Sequence, residues 1–334
     1  MRNIYNLEGR SKAIVILKCL AALLITISHL DVIFPNGFKW MATGGALGDS
    51  LFFFCSGFTL FLGRDGGFAN WYKRRISRIY PAVFIWGVIA TVFYAQDWLV
   101  TDVLAAKGLW FLSCIMIYYI IIYAIYHLLK KHLNIIFIIA FIIAFAAGYL
   151  IIDTSHVTMY GSSKYIRVFY FIFMLLGTIT AININKIVGG GLKYSQISAW
   201  KSCLSFVISM GAYYGFLYLC KINATVCLVQ ALSLIPLLLA VWFLFQLCNT
   251  ESASKIFNMP WLGNIVYVLS ALTLEIYIVQ RGIISTAWLP LFPFNIPLIL
   301  CCIVVLAYVV HCLANLFMQI FAKEDINWRK VFMP

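Results

Sequence analysis

Two ionisable side chains in the first apolar segment have the types and spacing that acyl transfer from a long donor would need. Lys18 and His29 are eleven residues apart, which is close to three turns of an α-helix and about 16 Å along its axis. Both side chains are therefore expected on one face of the helix. The spacing fits a donor with an anionic head and a long neutral arm that ends in a thioester, which is the form of acyl-coenzyme A. His29, with an ordinary pKa of about 6.5, could take the proton of an attacking hydroxyl.

A purely structural interpretation of the same segment stays open at this point. Lys18 would extend its ammonium group to the membrane interface, and His29 would cap a helix end near Asp31. Ionisable side chains in membrane-spanning segments are expensive, however, and usually mark a pathway or a site. By the same reasoning, Asp49 and Glu275 are also candidate site residues. We include Asp31 and Glu275 with His29 as candidate catalytic residues; Glu275 would pair with Lys18, orient His29, recognise acceptor hydroxyls, or simply join two helices.

A basic run directly precedes the third apolar segment. It contains Lys73, Arg74, Arg75 and Arg78. In a helix, Arg78 shares a face with Arg75, three residues earlier, and with Arg74, four residues earlier. Guanidinium groups match the geometry of phosphate oxygens, so the run is a candidate binding site for the phosphates of a donor. The alternative is that it sets the membrane topology and contacts anionic lipid headgroups.

The elements that must position these residues are membrane-spanning helices. Hydrophobic residues make up 64% of the 334 positions and charged residues only 10%, whereas about a quarter of the residues are charged in a soluble domain. Apolar runs recur that are long enough to cross ~30 Å of hydrocarbon as helices. We therefore predict an all-α integral membrane protein, a single polytopic bundle of about ten transmembrane helices. The predicted spans are residues 13–34, 44–62, 80–95, 109–129, 134–152, 165–183, 202–220, 224–248, 262–283 and 297–321.

The predicted bundle is one transmembrane domain over residues 1–334, with no separate soluble domain. The first apolar run, 13–34, is longer than the hydrophobic part of a signal peptide, about 7–15 residues, so we expect it to be retained. Lysine and arginine residues concentrate in alternate loops, which predicts that both termini are cytoplasmic. The same distribution explains the net charge of +13 as membrane topology, and we expect no nucleic-acid partner.

Three ordered blocks stand out in the sequence: KCLAALLITISH at 18–29, GDSLFFFCSGF at 48–58 and RRISRIYP at 74–81. In order and spacing they resemble the blocks of membrane acyltransferase family three. The likeness covers roughly residues 8–125, with a weaker match over 262–283. Two positions depart from the family pattern: the usual arginine of the first block is Lys18, which keeps the charge but loses the paired hydrogen bonds of a guanidinium, and a usual late histidine is Gln280.

The resemblance implies an O-acyltransferase of the bacterial plasma membrane. Arg75 and Arg78, with Lys18, would hold the phosphates of acetyl-coenzyme A at the cytoplasmic side, and His29 would act as base or proton relay. The acceptor would be a cell-envelope or capsular polysaccharide or its lipid-linked precursor. We expect no metal, because no two cysteines form a Cys-x-x-Cys pair and none lies near two histidines. Whether the chain forms a homo-oligomer is left open.

Two other functions compete with this interpretation. A transporter or flippase for a glycan or small molecule would use Lys18, Asp49 and Glu275 as coupling residues, but the sequence has neither the internal repeats nor the paired broken helices of such proteins. A membrane sensor, or an acyltransferase with an acceptor other than a sugar, is the third alternative. The departures at Lys18 and Gln280 leave room for it.

Overall fold

The computed structural model is predominantly helical over the residues that it describes. The described residues are 11–62, 67–94, 98–106, 108–151, 157, 165–190, 197–321 and 325–333. Within these ranges the regular elements are α-helices and short 3-10 helices, and no sheet is formed. The predicted all-α class is therefore confirmed for this part of the chain.

Sixteen α-helices and five 3-10 helices make up the described fold. The α-helices are α1 (Lys12–Ser28), α2 (Gly45–Thr59), α3 (Gly67–Tyr94), α4 (Val100–Ala105), α5 (Trp110–Leu129), α6 (Leu133–Ile151), α7 (Ile166–Phe169), α8 (Phe171–Gly190), α9 (Ala199–Ile222), α10 (Ala224–Cys227), α11 (Leu234–Cys248), α12 (Glu251–Phe257), α13 (Pro260–Ala271), α14 (Thr273–Ile283), α15 (Asn295–Ile320) and α16 (Trp328–Phe332). The 3-10 helices are Leu30–Ile33, Lys39–Met41, Lys130–His132, Gln230–Ser233 and Thr286–Leu291.

Several of these helices are suited to cross a membrane. Among the residues described, 6 helical segments are long and apolar enough, or 7 if α13 and α14 count as one bent span. The chain is therefore a multi-pass membrane protein. The predicted number of ten is not confirmed: α1 has 17 residues and α2 has 15, both shorter than the ~20 residues of an ordinary span. The cytoplasmic location of both termini stays a prediction.

Two helices differ from their predicted spans in a way that matters for the site. Helix α3 begins at Gly67 rather than at residue 80, so the basic run is helical and Pro81 lies in the helix interior. Membrane helices tolerate an interior proline because neighbouring helices and side chains satisfy the carbonyl that it leaves free. The predicted span 262–283 is broken between α13 and α14 by a bend of 75°. At the break, the Thr273 hydroxyl donates to the Ser270 carbonyl at 2.6 Å.

The contacts divide the chain into two compact units, of which the first takes its described residues from 1–18, 49–64 and 121–263. Its best-defined feature is a close crossing of α2 and α8. A Cβ atom on Gly57 would overlap the Met174 carbonyl, and one on Gly177 would overlap the Phe54 carbonyl. Only glycine lets the two backbones approach this closely, and the Thr178 hydroxyl donates to the Gly57 carbonyl at 3.2 Å across the same crossing.

The second unit takes its described residues from 19–48, 65–120 and 264–334. Its centre is formed by α3, α14 and α15, which pack against one another. Asn295, at the start of α15, is fully buried. Its amide donates to the Ile33 carbonyl at 3.1 Å and to the Trp288 carbonyl at 3.0 Å. This one side chain therefore ties the connection after α1 to the connection before α15.

Candidate functional site

His29 lies just beyond α1, in the connection to α2, and not within a spanning helix. The predicted span 13–34 is too long, because α1 ends at Ser28. The His29 N–H donates to the Thr26 carbonyl at 3.0 Å, a tighter turn than that of an α-helix, and the 3-10 helix Leu30–Ile33 follows. The His29 side chain is half-buried. The imidazole therefore stands at a helix end and is partly accessible.

Two charged residues of the second unit act on the His29 ring. Nη1 of Arg281, on α14, donates to the Gly108 carbonyl at 2.8 Å, which positions the guanidinium within electrostatic range of the imidazole. Burial lowers the pKa of His29, Arg281 lowers it further, and the exposed carboxylate of Asp31 acts in the opposite direction. The ring therefore stays neutral, and able to accept a proton, at a lower pH than a histidine in water.

A second polar cluster lies at the other end of α14. Glu275, only 7% exposed, places Oε1 3.0 Å from Nδ1 of His311 on α15. The other imidazole nitrogen lies 2.9 Å from the Asn315 amide and 3.4 Å from the Met333 carbonyl. Within the described part of the chain, Oε2 of Glu275 is buried without a hydrogen-bond partner. The carboxylate therefore has one oxygen paired and one available to a ligand.

The sequence predictions do not include His311, although its type and position are themselves the signal of a site. It is an ionisable residue inside the predicted span 297–321, and such residues usually mark sites. The sequence left four roles open for Glu275: pairing with Lys18, orienting His29, binding acceptor hydroxyls, or a polar contact between two helices. The partner that the structure gives Glu275 is His311.

The predicted phosphate-binding arginines all lie on α3, in two different environments. Arg74 and Arg78 are exposed, and Arg78 is close enough to act electrostatically on the ring of His311. Arg75 is half-buried, with its guanidinium carbon 5.0 Å from the ring centroid of Trp71 in a cation–π contact. Arg78 thus lies within electrostatic range of His311, and Arg75 packs against an aromatic ring.

Helix α14 connects the two clusters within the second unit. Glu275 lies in its first turn and Arg281 in its last. The two residues are six positions apart, so they are separated by about 9 Å along the helix axis. One short helix therefore carries a residue that pairs with His311 at one end and a residue that acts on His29 at the other.

Two further residues predicted from the sequence belong to the first unit. Lys18 is half-buried on α1 and lies within electrostatic range of the Cys55 thiol. Asp49, the second residue of the second sequence block, is half-buried on α2. The role of Lys18 in donor binding stays a prediction. In the ranges that the structure covers, no three His, Cys, Asp or Glu side chains are grouped so that they could hold a metal ion.

Comparison with known proteins gives one match. A family model described as an acyltransferase domain matches residues 11–316. The match takes in both units and every site residue named above except Met333. A search of curated proteins found no match, and neither did a search of solved structures.

Proposed function

Because the chain belongs to membrane acyltransferase family three, we propose that it is an O-acetyltransferase of the bacterial plasma membrane. It would transfer acetyl from cytoplasmic acetyl-coenzyme A to a hydroxyl of a cell-envelope or capsular polysaccharide, or of its lipid-linked precursor. The observation that carries this proposal is the arrangement along α14. A basic and carboxylate cluster stands at one end, and a half-buried histidine with a lowered pKa stands at the other.

The basic residues of α3 are suited to the donor head group. Arg74 and Arg78 present exposed guanidinium groups, which form paired, charge-assisted hydrogen bonds with phosphate oxygens. Arg75 would add positive charge. Arg78 also stands beside His311, so the phosphates would be held next to the Glu275–His311 pair and the pantetheine arm would extend toward His29.

His29 would act as the general base of the transfer. The acceptor hydroxyl oxygen forms a bond to the thioester carbonyl carbon while His29 takes the hydroxyl proton. The carbonyl π electrons move to oxygen, giving a tetrahedral oxyanion. When this intermediate collapses, the carbon–sulfur bond breaks and the thiolate of coenzyme A takes the proton back from His29. The products are an O-acetyl ester and coenzyme A, and the histidine is neutral again.

Asp31 and Glu275 would assist this step in different ways. Asp31 favours the protonated form of His29 that arises during the transfer. Glu275 would fix His311 beside the donor phosphates through its 3.0 Å contact, while its second oxygen faces an interior without a partner among the described residues. Asp31 and Glu275 would therefore act at opposite ends of the proposed substrate path.

The transporter alternative is not favoured by the family to which the chain belongs. The break between α13 and α14 is a feature that transporters also use. Transporters of that kind have such breaks in corresponding positions of two halves, and the described residues contain only 1 such pair. The break therefore serves to position Glu275 and Arg281 rather than to support alternating access.

The proposed function is tested by following the acetyl group. Membranes that contain the protein are incubated with acetyl-coenzyme A labelled in the acetyl carbon, and the glycan fraction is separated and counted. We expect label in the glycan, released by mild base as an ester, and none in membranes without the protein. Movement of glycan that depends on an ion gradient, without transfer of label, would instead identify a transporter.

A further inference from the structure

Gln280, on α14, is a buried amide for which the described residues supply no hydrogen-bond partner. The residue is 0% exposed, and within the described chain neither Nε2 nor Oε1 has a hydrogen-bond partner. Native proteins pair nearly all of their buried polar groups, and a buried amide without partners destabilises the folded state. A glutamine in this position therefore needs a reason other than stability.

The location of Gln280 on its helix places it at the His29 end of α14. It directly precedes Arg281, which reaches the Gly108 carbonyl and acts on His29. Tyr277, three residues earlier and so on the same face of the helix, packs its ring 5.5 Å from that of Phe111 in the first turn of α5. The face that carries Gln280 is thus turned toward the start of α5. Gly108, whose carbonyl accepts from Arg281, lies two residues before that helix.

A second buried polar group close to His29 has no partner among the residues that the structure describes. Thr26 is 1% exposed, and no hydrogen-bond partner for its hydroxyl is found in the described chain. The Thr26 carbonyl accepts the His29 N–H at 3.0 Å, so the two residues are one turn apart. Unpaired polar atoms are therefore contributed from two different helices at the end of the second unit where His29 lies. This is expected where a polar ligand completes the hydrogen bonding.

From these observations we infer that Gln280 donates a hydrogen bond to the thioester carbonyl oxygen as acyl transfer makes it an oxyanion. The inference rests on the proposed function and adds a catalytic residue to it. As the acceptor oxygen bonds to the carbonyl carbon and its proton passes to His29, the negative charge develops on the carbonyl oxygen, and the Nε2–H group stabilises it. Collapse then breaks the carbon–sulfur bond, and the thiolate takes the proton from His29. Donors of this kind act because they are fixed before the reaction in a site without water.

Gln280→Leu tests the inference, because leucine fills a similar volume and has no polar atoms. Removing a single oxyanion donor lowers kcat by about 100-fold to 1000-fold, so we expect a fall of that size with a nearly unchanged KM for acetyl-coenzyme A. The apparent unfolding temperature in detergent should stay the same or rise, since two unpaired polar atoms are gone. A side chain with only a structural role cannot give a large loss of rate together with equal or higher stability.

Gln246→Leu is the matched control. Gln246, on α11 of the first unit, is also a buried glutamine, 4% exposed, and its Oε1 lacks a partner among the described residues. It is not part of the proposed site, so its kcat should equal that of the wild type. If Gln280→Leu does not accumulate, Gln280→Met replaces it in the same measurements of kcat and unfolding temperature. Methionine has an unbranched side chain of the same length.

The outcomes separate this inference from the proposed function. A wild-type kcat in Gln280→Leu or Gln280→Met overturns the inference while acetyl transfer by the wild type still stands. A loss of rate together with a lower unfolding temperature would assign Gln280 a structural role. Failure of both variants to accumulate would do the same, and either outcome overturns the inference. Absence of acetyl transfer by the wild-type protein would remove the proposed function itself.

Discussion

The charge on the His29 ring is controlled by neighbours that oppose each other. Burial and the guanidinium of Arg281 favour the neutral ring, and the carboxylate of Asp31 favours the protonated one. A general base must be neutral before the reaction and must hold a proton during it. The structure supplies one residue that favours each state, and each can be removed separately.

The pH dependence of acyl transfer should show the opposing effects of Arg281 and Asp31 on the pKa of His29. The rate falls as the pH drops through the pKa of His29, because the protonated ring cannot accept a proton. Arg281 lowers that pKa, so Arg281→Gln should raise it and move the acid limb of kcat/KM to higher pH. Asp31 raises it, so Asp31→Asn should move the acid limb to lower pH. Shifts in the same direction, or a limb that neither variant moves, would contradict the role assigned to His29.

Single residues of the site could be predicted from the sequence only where a strong local signal existed. His29 and the arginines of α3 stand in short ordered blocks, and the predicted helical spacing of Arg75 and Arg78 holds because α3 is continuous. The pairing of Glu275 with His311 depends on how α14 packs against α15, which no local pattern encodes. Gln280 was visible only as a departure from a family pattern, and its lack of partners is a property of the fold.

Helix α14 is the element on which the account of the site depends most. Its residues are helical as predicted, but the bend that separates it from α13 was not predicted. Sharp bends in helices are usually caused by proline, by glycine and serine pairs, or by side chains that enter the hydrogen-bond ladder. The sequence at the bend, Leu269 to Thr273, has neither proline nor glycine. Here the Thr273 hydroxyl donates to carbonyls of the preceding turn, at 2.6 Å and 3.3 Å, and hydroxyl contacts of this kind are difficult to anticipate from sequence.

The crossing of α2 and α8 gives a prediction about helix packing. In Gly57→Ala, the new methyl group would overlap the Met174 carbonyl, so the two helices must separate and the apparent unfolding temperature in detergent should fall by several degrees. Gly211→Ala on α9 is the control, because nothing lies within 4 Å of its Cβ position. Alanine is favoured over glycine in a helix by about 1 kcal/mol, so this variant should be at least as stable as the wild type. Equal stability of the two variants would argue against the close crossing.

At the scale of the whole molecule, composition predicted the class of protein but not its number of spans. An excess of apolar residues is a global property, so the helical membrane fold followed from it directly. The number of spans depends on where each helix ends. Helix α1 ends at Ser28 because the chain tightens into a 3-10 turn at His29. That turn is also what places the imidazole at a helix end.

The predicted orientation can be tested by fusing reporters to the C-terminus. A cytoplasmic C-terminus, as the distribution of lysine and arginine predicts, should give a fluorescent fusion with green fluorescent protein and an inactive fusion with alkaline phosphatase. The same location would put Arg329 and Lys330 of α16 on the side of the donor. An active phosphatase fusion would place the C-terminus outside the cell and reverse the proposed direction of transfer.

Loss of acetyl transfer in His29→Ala is the most direct test of the central claim. The measurement is transfer of label from acetyl-coenzyme A to glycan in membranes with equal amounts of wild-type protein, His29→Ala and His132→Ala, an exposed histidine outside the site. Removal of a general base should lower the rate by about 100-fold or more, while His132→Ala should match the wild type. Transfer at the wild-type rate by His29→Ala would contradict the account.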